Sequence, residues 1–284
     1  MVLVAPSANH VYANQAPRLA AAELALCCPQ VRGAEPIVLA GVEYIALEID
    51  DAEQPLAPAI LRAVSRSSAT LAAFQREGEL LRPIELPTTH VLDEDLVTIP
   101  KYRGKTNEQF TRLLLNVTLA GLSGAAAARR DQGARLAILD PMAGRGTTLQ
   151  EAWLAGHNGY GDAPYGVVHA ATSRPAAKGP DAKGGGKGTT ADKRHGGRDG
   201  RSSGRDRSPA QLLSESISVW ASQLRSGGAM GISWNTFGLA REDLLAMMAD
   251  AGLQPLDDDL HRGLDHRVDS SIHRDVAVAV KATA

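Results

Sequence analysis

Hydrophobic and polar positions in the first 92 residues predict a small α+β unit. Alternating and continuous apolar runs indicate strands, and apolar positions at helical spacing indicate helices. The predicted elements are strands over residues 2–5, 37–39 and 44–49, helices over residues 18–26 and 58–64, and a further apolar piece at 71–74. A turn at Gly41 joins the second and third strands. This β-α-β-β-α pattern contains no constellation of catalytic side chains.

From residue 93 onward, the pattern changes to strands that alternate with longer helices. Asn107 is a predicted N-cap, and apolar residues follow it at helical spacing. The predicted elements are helices over 106–122, 149–155, 209–224 and 241–251, and strands over 136–139, 229–234 and 276–280. Alternation of this kind predicts the α/β class.

Residues 173–208 differ in composition from the rest of the chain. They contain ten Lys/Arg, four Asp and no Leu, Ile, Val, Phe, Trp, Tyr or Met. A segment without apolar area is expected to be a disordered, basic Gly-rich linker. It carries +6 and leaves −8 for the remainder of a chain whose net charge is −2. The alternatives are a solvated linker and an arm that tethers RNA through its cations.

Composition also bounds the location. No apolar run approaches the roughly 18 residues of a membrane span, and the first residues lack the basic start of a secretory signal. The cysteines Cys27 and Cys28 are adjacent, which excludes a disulfide framework and favours the reducing cytoplasm. We therefore expect a cytoplasmic protein without a membrane partner.

The predicted strand at 136–139 leads into the sequence Asp-Pro-Met-Ala-Gly-Arg-Gly-Thr, residues 140–147. Glycines in such a turn let the backbone approach a ligand, and the start of the following helix offers free N–H groups. No Lys-Ser/Thr pair follows, so this is not a phosphate-binding loop. Asp140 would repel a pyrophosphate but suits the ammonium of an amino-acid-like ligand. The alternative is a tight turn without a ligand.

This turn resembles the first motif of Rossmann-like S-adenosylmethionine (SAM) methyltransferases, in the form typical of enzymes that methylate exocyclic amines of nucleobases. The resemblance implies SAM as cofactor and no metal. The residues that it implies for cofactor binding are Asp140, Pro141, Gly144, Gly146 and Thr147.

A second segment, Asp162-Ala163-Pro164-Tyr165-Gly166, is similar to the Asp/Asn-Pro-Pro-Tyr motif of amino-methyltransferases. The resemblance implies catalytic roles for Asp162, Pro164 and Tyr165. A carboxylate or carbonyl acceptor increases the electron density on the target nitrogen, and the tyrosine ring can stack on a flipped base. An incidental turn is the alternative.

Residues 101–116 resemble the segment that precedes the SAM motif in the tRNA guanine-N2 methyltransferase family. The resemblance implies that Lys105 and Thr106 lie near the cofactor and that Asn116 has a packing or hydrogen-bonding role. It also implies tRNA as the partner, with residues 1–92 in the place of an RNA-binding region. The alternative is an amphipathic helix with a basic start.

The spacing between the two motifs is short for this family. Asp162 follows Asp140 by 22 positions, whereas each strand–helix unit takes about 30 residues. Residues 157–161 look turn-like, so this interval is expected to hold one helix and no strand. The strand-ending acidic residue that binds the ribose in the family is also missing. We therefore expect an incomplete sheet and weak or absent SAM affinity.

These observations predict an incomplete Rossmann-like SAM-methyltransferase sheet preceded by a small α+β domain. The predicted parts are 1–92, 93–172, 173–208 and 209–284. The predicted function is methylation of an exocyclic amine of guanine in tRNA, impaired by the missing strands. The alternatives are a DNA adenine-N6 methyltransferase and a non-catalytic RNA-binding or interaction protein. The sequence leaves the oligomeric state open.

Overall fold

The computed structural model describes residues 1–49, 56–99, 105–161, 208–268 and 271–283. The N-terminal unit comprises β1 (Val2–Val4), α1 (His10–Ala13), α2 (Ala16–Cys27), β2 (Val31–Leu39), β3 (Val42–Ile49), α3 (Pro58–Arg66), β4 (Thr70–Glu77) and β5 (Leu80–Ile84). Next come α4 (Asp95–Thr98), α5 (Glu108–Ala120), α6 (Gly124–Asp131), β6 (Ala137–Asp140), α7 (Thr147–Leu154) and β7 (Asn158–Gly161). The C-terminal part comprises α8 (Pro209–Gln223), β8 (Ala229–Asn235), α9 (Arg241–Asp250), β9 (Leu253–Leu256), α10 (Asp259–Arg262), β10 (His266–Arg267) and β11 (His273–Lys281).

The N-terminal unit is an antiparallel sheet in the order β2-β3-β1-β4-β5, with α2 and α3 on one face. Val2, Ile45 and Ala73 are buried between this face and the helices. The β-α-β-β-α-β order is that of ferredoxin-like units, and β5 extends the edge. Ala40 and Gly41 both have positive φ, as a two-residue hairpin turn requires. The predicted α+β unit is therefore present, with more strands than the sequence pattern indicated.

The C-terminal sheet is built around β11, which pairs antiparallel with β8 on one edge and with β9 and β10 on the other. Successive β11 residues enter different cores: Val276 and Val278 pack into the same cluster as α5, and Ala277 and Ala279 pack against α8 and α9. Because both faces are covered, the strand reads as one continuous apolar run. The result is a three-layer α/β/α arrangement.

The largest hydrophobic cluster crosses the predicted boundary at residue 93. It joins Leu19 and Leu24 of α2 with Leu113 and Val117 of α5 and with Val278 of β11. The two predicted domains are adjacent parts of one core. The division of the chain into the four predicted parts stays a prediction.

The predicted Rossmann-like methyltransferase sheet is not confirmed, and the prediction of no strand at residues 157–161 is wrong. A Rossmann-like sheet is mostly parallel, whereas parallel pairing within the described ranges is confined to β6 and β7. The turn-like segment at 157–161 contains β7, so the interval after Asp140 holds a strand as well as a helix. The prediction failed because Gly159 and Gly161 weaken the strand pattern, although close packing against α7 favours them. Residues 162–207, which include most of the predicted linker, lie outside the described residues.

We expect Gly231→Ala to destabilise the protein, because α5 lies directly against β8. A Cβ at Gly231 would come within 1.8 Å of the Thr118 hydroxyl oxygen. Overpacking of this kind costs about 1–3 kcal/mol in free energy of unfolding, measured by urea titration. Gly238→Ala is the control, since its nearest neighbour would be at 3.7 Å. A loss for Gly231→Ala no larger than that of the control would contradict the packing.

Candidate cofactor site

The Gly-rich turn connects the carboxyl end of β6 to the start of α7. Gly144 and Gly146 have φ values of 55° and 83°, a left-handed conformation that side chains strain. Gly146 is the N-cap of α7, and as a glycine it provides no side-chain cap. The N-terminus of a helix favours an anionic ligand such as a carboxylate. The predicted turn is present with the geometry that its glycines indicate.

Asp140 is the last residue of β6 and is half-buried. Its Oδ1 accepts a hydrogen bond from the backbone N–H of Met142 at 2.9 Å. A second turn bond joins the Gly146 N–H to the Ala143 carbonyl at 2.7 Å. The carboxylate therefore holds the turn and also places a negative charge at the end of the strand. Pro141 and Met142 are exposed beside it, and Thr147 is buried in the first turn of α7.

β7 lies parallel to β6, with Gly161 in register with Asp140. A Cβ at Gly161 would lie 2.6 Å from the Asp140 carbonyl oxygen and 2.8 Å from the Ala143 Cβ. Only glycine lets the strand approach the turn this closely. The carboxyl ends of both strands consequently meet at the edge where the turn lies.

The face of β6 and β7 that points away from α7 is open in the described structure. Leu139 is 52% exposed, and its register partner Tyr160 is 46% exposed. Parallel strands normally have both faces covered. Within the described residues, this pair therefore has one of the two layers that a doubly wound sheet provides.

Lys105 and Thr106 precede α5, and their predicted contact with the cofactor stays a prediction. The Lys105 ammonium pairs with Glu108 at 3.3 Å and donates to the Val97 carbonyl of α4. Thr106 is exposed. Lys105 thus connects α4 to the start of α5, and α5 packs on α7.

A buried ionic network connects α5 to α7, and no pattern in the sequence predicts it. The Arg112 guanidinium lies 3.0 Å from Oε2 of Glu151, which is 2% exposed, and 3.1 Å from the Glu94 carboxylate. The pKa of Arg112 is raised by its two carboxylate partners, and burial raises the pKa of Glu151. Charged residues 39 positions apart show no shared pattern in the sequence. The network sets the position of α7, and with it the position of the Gly-rich turn.

The predicted catalytic residues Asp162, Pro164 and Tyr165 lie outside the described residues. Within the described ranges, no group of three His, Cys, Asp or Glu side chains could hold a metal ion. The helices described are all too short or too polar to cross a bilayer.

No model of a known protein family matches the chain. No curated protein is significantly similar to it.

We expect Arg112→Met to destabilise the protein, because it leaves the Glu151 carboxylate buried without its cation. Breaking one partner of a buried pair costs about 3–5 kcal/mol in free energy of unfolding. Arg129→Met, on an exposed position of α6, is the control. The double variant Arg112→Met/Glu151→Gln should recover part of the loss, since both charges are gone. Equal stability of Arg112→Met and the control would refute the network.

We expect His157 to make the protein sensitive to acid. Both ring nitrogens are buried without a hydrogen-bond partner in the described structure. Burial, with a smaller contribution from Arg66, lowers the pKa of His157 to about 4. The unfolded chain then takes up the proton first as pH falls, so stability is full above about pH 6.5 and declines towards pH 4.

The contribution of His157 should amount to roughly 1–3 kcal/mol and should be lost in His157→Leu, whereas the decline due to His266, whose pKa burial also lowers to about 4, should remain. Urea unfolding at several pH values measures it, with exposed His10→Gln as the control. An unchanged acid slope in His157→Leu would contradict this assignment.

Proposed function

We propose that this chain is a SAM-dependent RNA methyltransferase of the tRNA guanine-N2 type, with a weakened cofactor site. The observation that carries the proposal is the unit formed by β6, the Gly-rich turn, α7 and β7. In this unit, an acidic side chain and a helix N-terminus meet at the carboxyl edge of two parallel strands. Ligands of α/β sheets bind at such edges. The match of residues 101–116 and 140–147 to the family's segments supports the choice of reaction.

The described residues suit the amino-acid end of SAM. The carboxylate of Asp140 would hold the ammonium group, and the N-terminus of α7 would receive the carboxylate. Gly144 leaves room for this approach, since a Cβ there would have its nearest neighbour at 3.9 Å. When bound, SAM supplies a methyl sulfonium that an amine nitrogen can attack directly, so no metal is required.

Asp162, Pro164 and Tyr165 would position the target amine and stack against its base. The register of β7 also supports a second role for Asp162, which follows Gly161 directly in the sequence. In dinucleotide-binding units, an acidic residue about 20 positions after the Gly-rich turn binds the ribose hydroxyls. In this second role, Asp162 would be the ribose-binding acidic residue that the sequence otherwise lacks.

The open face of β6 and β7 supports the reduced affinity. An adenosine pocket needs walls on both sides of the strand edge, and Leu139 and Tyr160 are exposed there. We expect SAM to dissociate with a constant well above the micromolar range.

A non-catalytic binding protein is the second candidate, and the same open face favours it. The N-terminal unit, which has six Arg and ten Asp/Glu in residues 1–92, would then bind a partner, and the chain would transfer no methyl group. The DNA adenine-N6 alternative has the same two motifs and differs in its substrate.

We expect millimolar SAM to bind at the Gly-rich turn, as measured by calorimetric titration. Asp140→Asn should abolish binding, because the amide keeps an acceptor for the Met142 N–H but loses the charge. Gly146→Val should also abolish it, since a β-branched residue cannot adopt the left-handed N-cap. Asp250→Asn, at the exposed end of α9, is the matched control.

Transfer of labelled methyl groups to bulk tRNA and to DNA identifies the substrate. With tRNA as acceptor, Asp162→Asn should lower turnover at unchanged SAM affinity if Asp162 positions the amine. It should weaken SAM binding if Asp162 holds the ribose. Binding that survives both turn variants would disprove the site. SAM binding without transfer to either nucleic acid would favour the non-catalytic candidate.

A further inference from the structure

The second face of the N-terminal sheet, opposite α2 and α3, is apolar. Cross-strand register places Tyr44, Leu3 and Ala72 in one row across β3, β1 and β4. Ala46 and Phe74 lie one row further along β3 and β4, on the same face. The Tyr44 and Phe74 rings meet edge to face, with centroids 6.4 Å apart. The row beyond holds Glu48 on β3 and Arg76 on β4, both exposed.

No helix of the described chain covers this face. None of its side chains is buried, and none belongs to the three hydrophobic clusters. The face comprises Leu3, Ile37, Leu39, Val42, Tyr44, Ala46, Ala72, Phe74, Leu81 and Pro83, with Glu35, Glu48 and Arg76 at one end. A contiguous apolar surface of this kind marks an interaction site.

We propose that this face binds the same face of a second copy of the chain. A two-fold axis parallel to β1 exchanges the β3 side of the face with the β4 side. Tyr44 then lies opposite Ala72 of the second copy, and Phe74 lies opposite Ala46. Large side chains meet small ones in both directions, as a self-complementary interface requires. Leu3, near the axis, meets its own equivalent.

The charges at the end of the face are complementary under the same axis. Glu48 of each copy lies opposite Arg76 of the other, so the dimer contains this ion pair twice. The rim of the face carries Glu35, Glu48 and Arg76, and the N-terminal ammonium donates to the Phe74 carbonyl. This balance has no excess of cations, whereas nucleic-acid binding requires cations beside the aromatic rings.

The size of the face suits a weak, reversible dimer. Five strands about 4.8 Å apart make a surface about 24 Å wide, which gives on the order of 500–600 Å² from each copy. The total of about 1,000–1,200 Å² lies at the lower bound for a specific interface. Two such sheets would pack about 10 Å apart with nearly aligned strands.

Sedimentation equilibrium of the full chain across the micromolar range tests the proposal. The wild type should show a monomer–dimer equilibrium. Glu48→Arg and Arg76→Glu should each raise the dissociation constant by about tenfold or more, because like charges then face each other twice. The double variant Glu48→Arg/Arg76→Glu should restore dimerisation. Glu43→Arg, on the opposite face of β3, is the matched control and should change nothing.

Circular dichroism and thermal unfolding of each variant establish that the fold is intact. A wild type that stays monomeric overturns the proposal, as does a double variant that fails to restore the dimer. A labelled oligouridine provides the competing outcome. If it binds the wild type and Phe74→Ala abolishes that binding while no dimer forms, the face is a nucleic-acid surface and the proposal is wrong.

Discussion

The packing of helix α5 is the constraint on which the rest of the structure depends. Thr118 lies against Gly231 of β8, where any side chain would collide. Two residues earlier, the Asn116 amide donates to the buried Glu23 carboxylate of α2 at 2.6 Å and to the Arg66 carbonyl at 2.8 Å. One turn before Asn116, Arg112 pairs with Glu151 of α7. One helix therefore contacts the N-terminal unit, the C-terminal sheet and α7, the helix that follows the Gly-rich turn.

Glu23 illustrates how firmly this helix is held. Its carboxylate is fully buried, and burial raises its pKa in spite of donors from Ser67, Ser68 and Asn116. A buried carboxylate is tolerated only where its lone pairs are satisfied. Loss of any donor would leave a costly unpaired group, so α2 and α5 are held in one relative position.

Local chemistry explains which elements could be predicted from the sequence. The Asn107 side chain caps α5 by accepting from the Phe110 N–H, as its position indicated, and the apolar run over residues 276–280 predicted the strand β11. The Gly-rich turn likewise follows from its own residues. β7 could not be predicted, since its glycines are explained by the proximity of Leu149 in α7. The Arg112–Glu151 pair is a tertiary contact with no local signal.

The two sheets beyond the N-terminal unit differ in how many neighbours they have within the described residues. β11 has strands on both edges and helices on both faces, so the C-terminal layer is complete in itself. Within the described residues, β6 and β7 have one covered face and are attached through α7 and α5. Changes in this parallel pair should therefore cost the fold less than changes in β11, because the burial of the pair is peripheral.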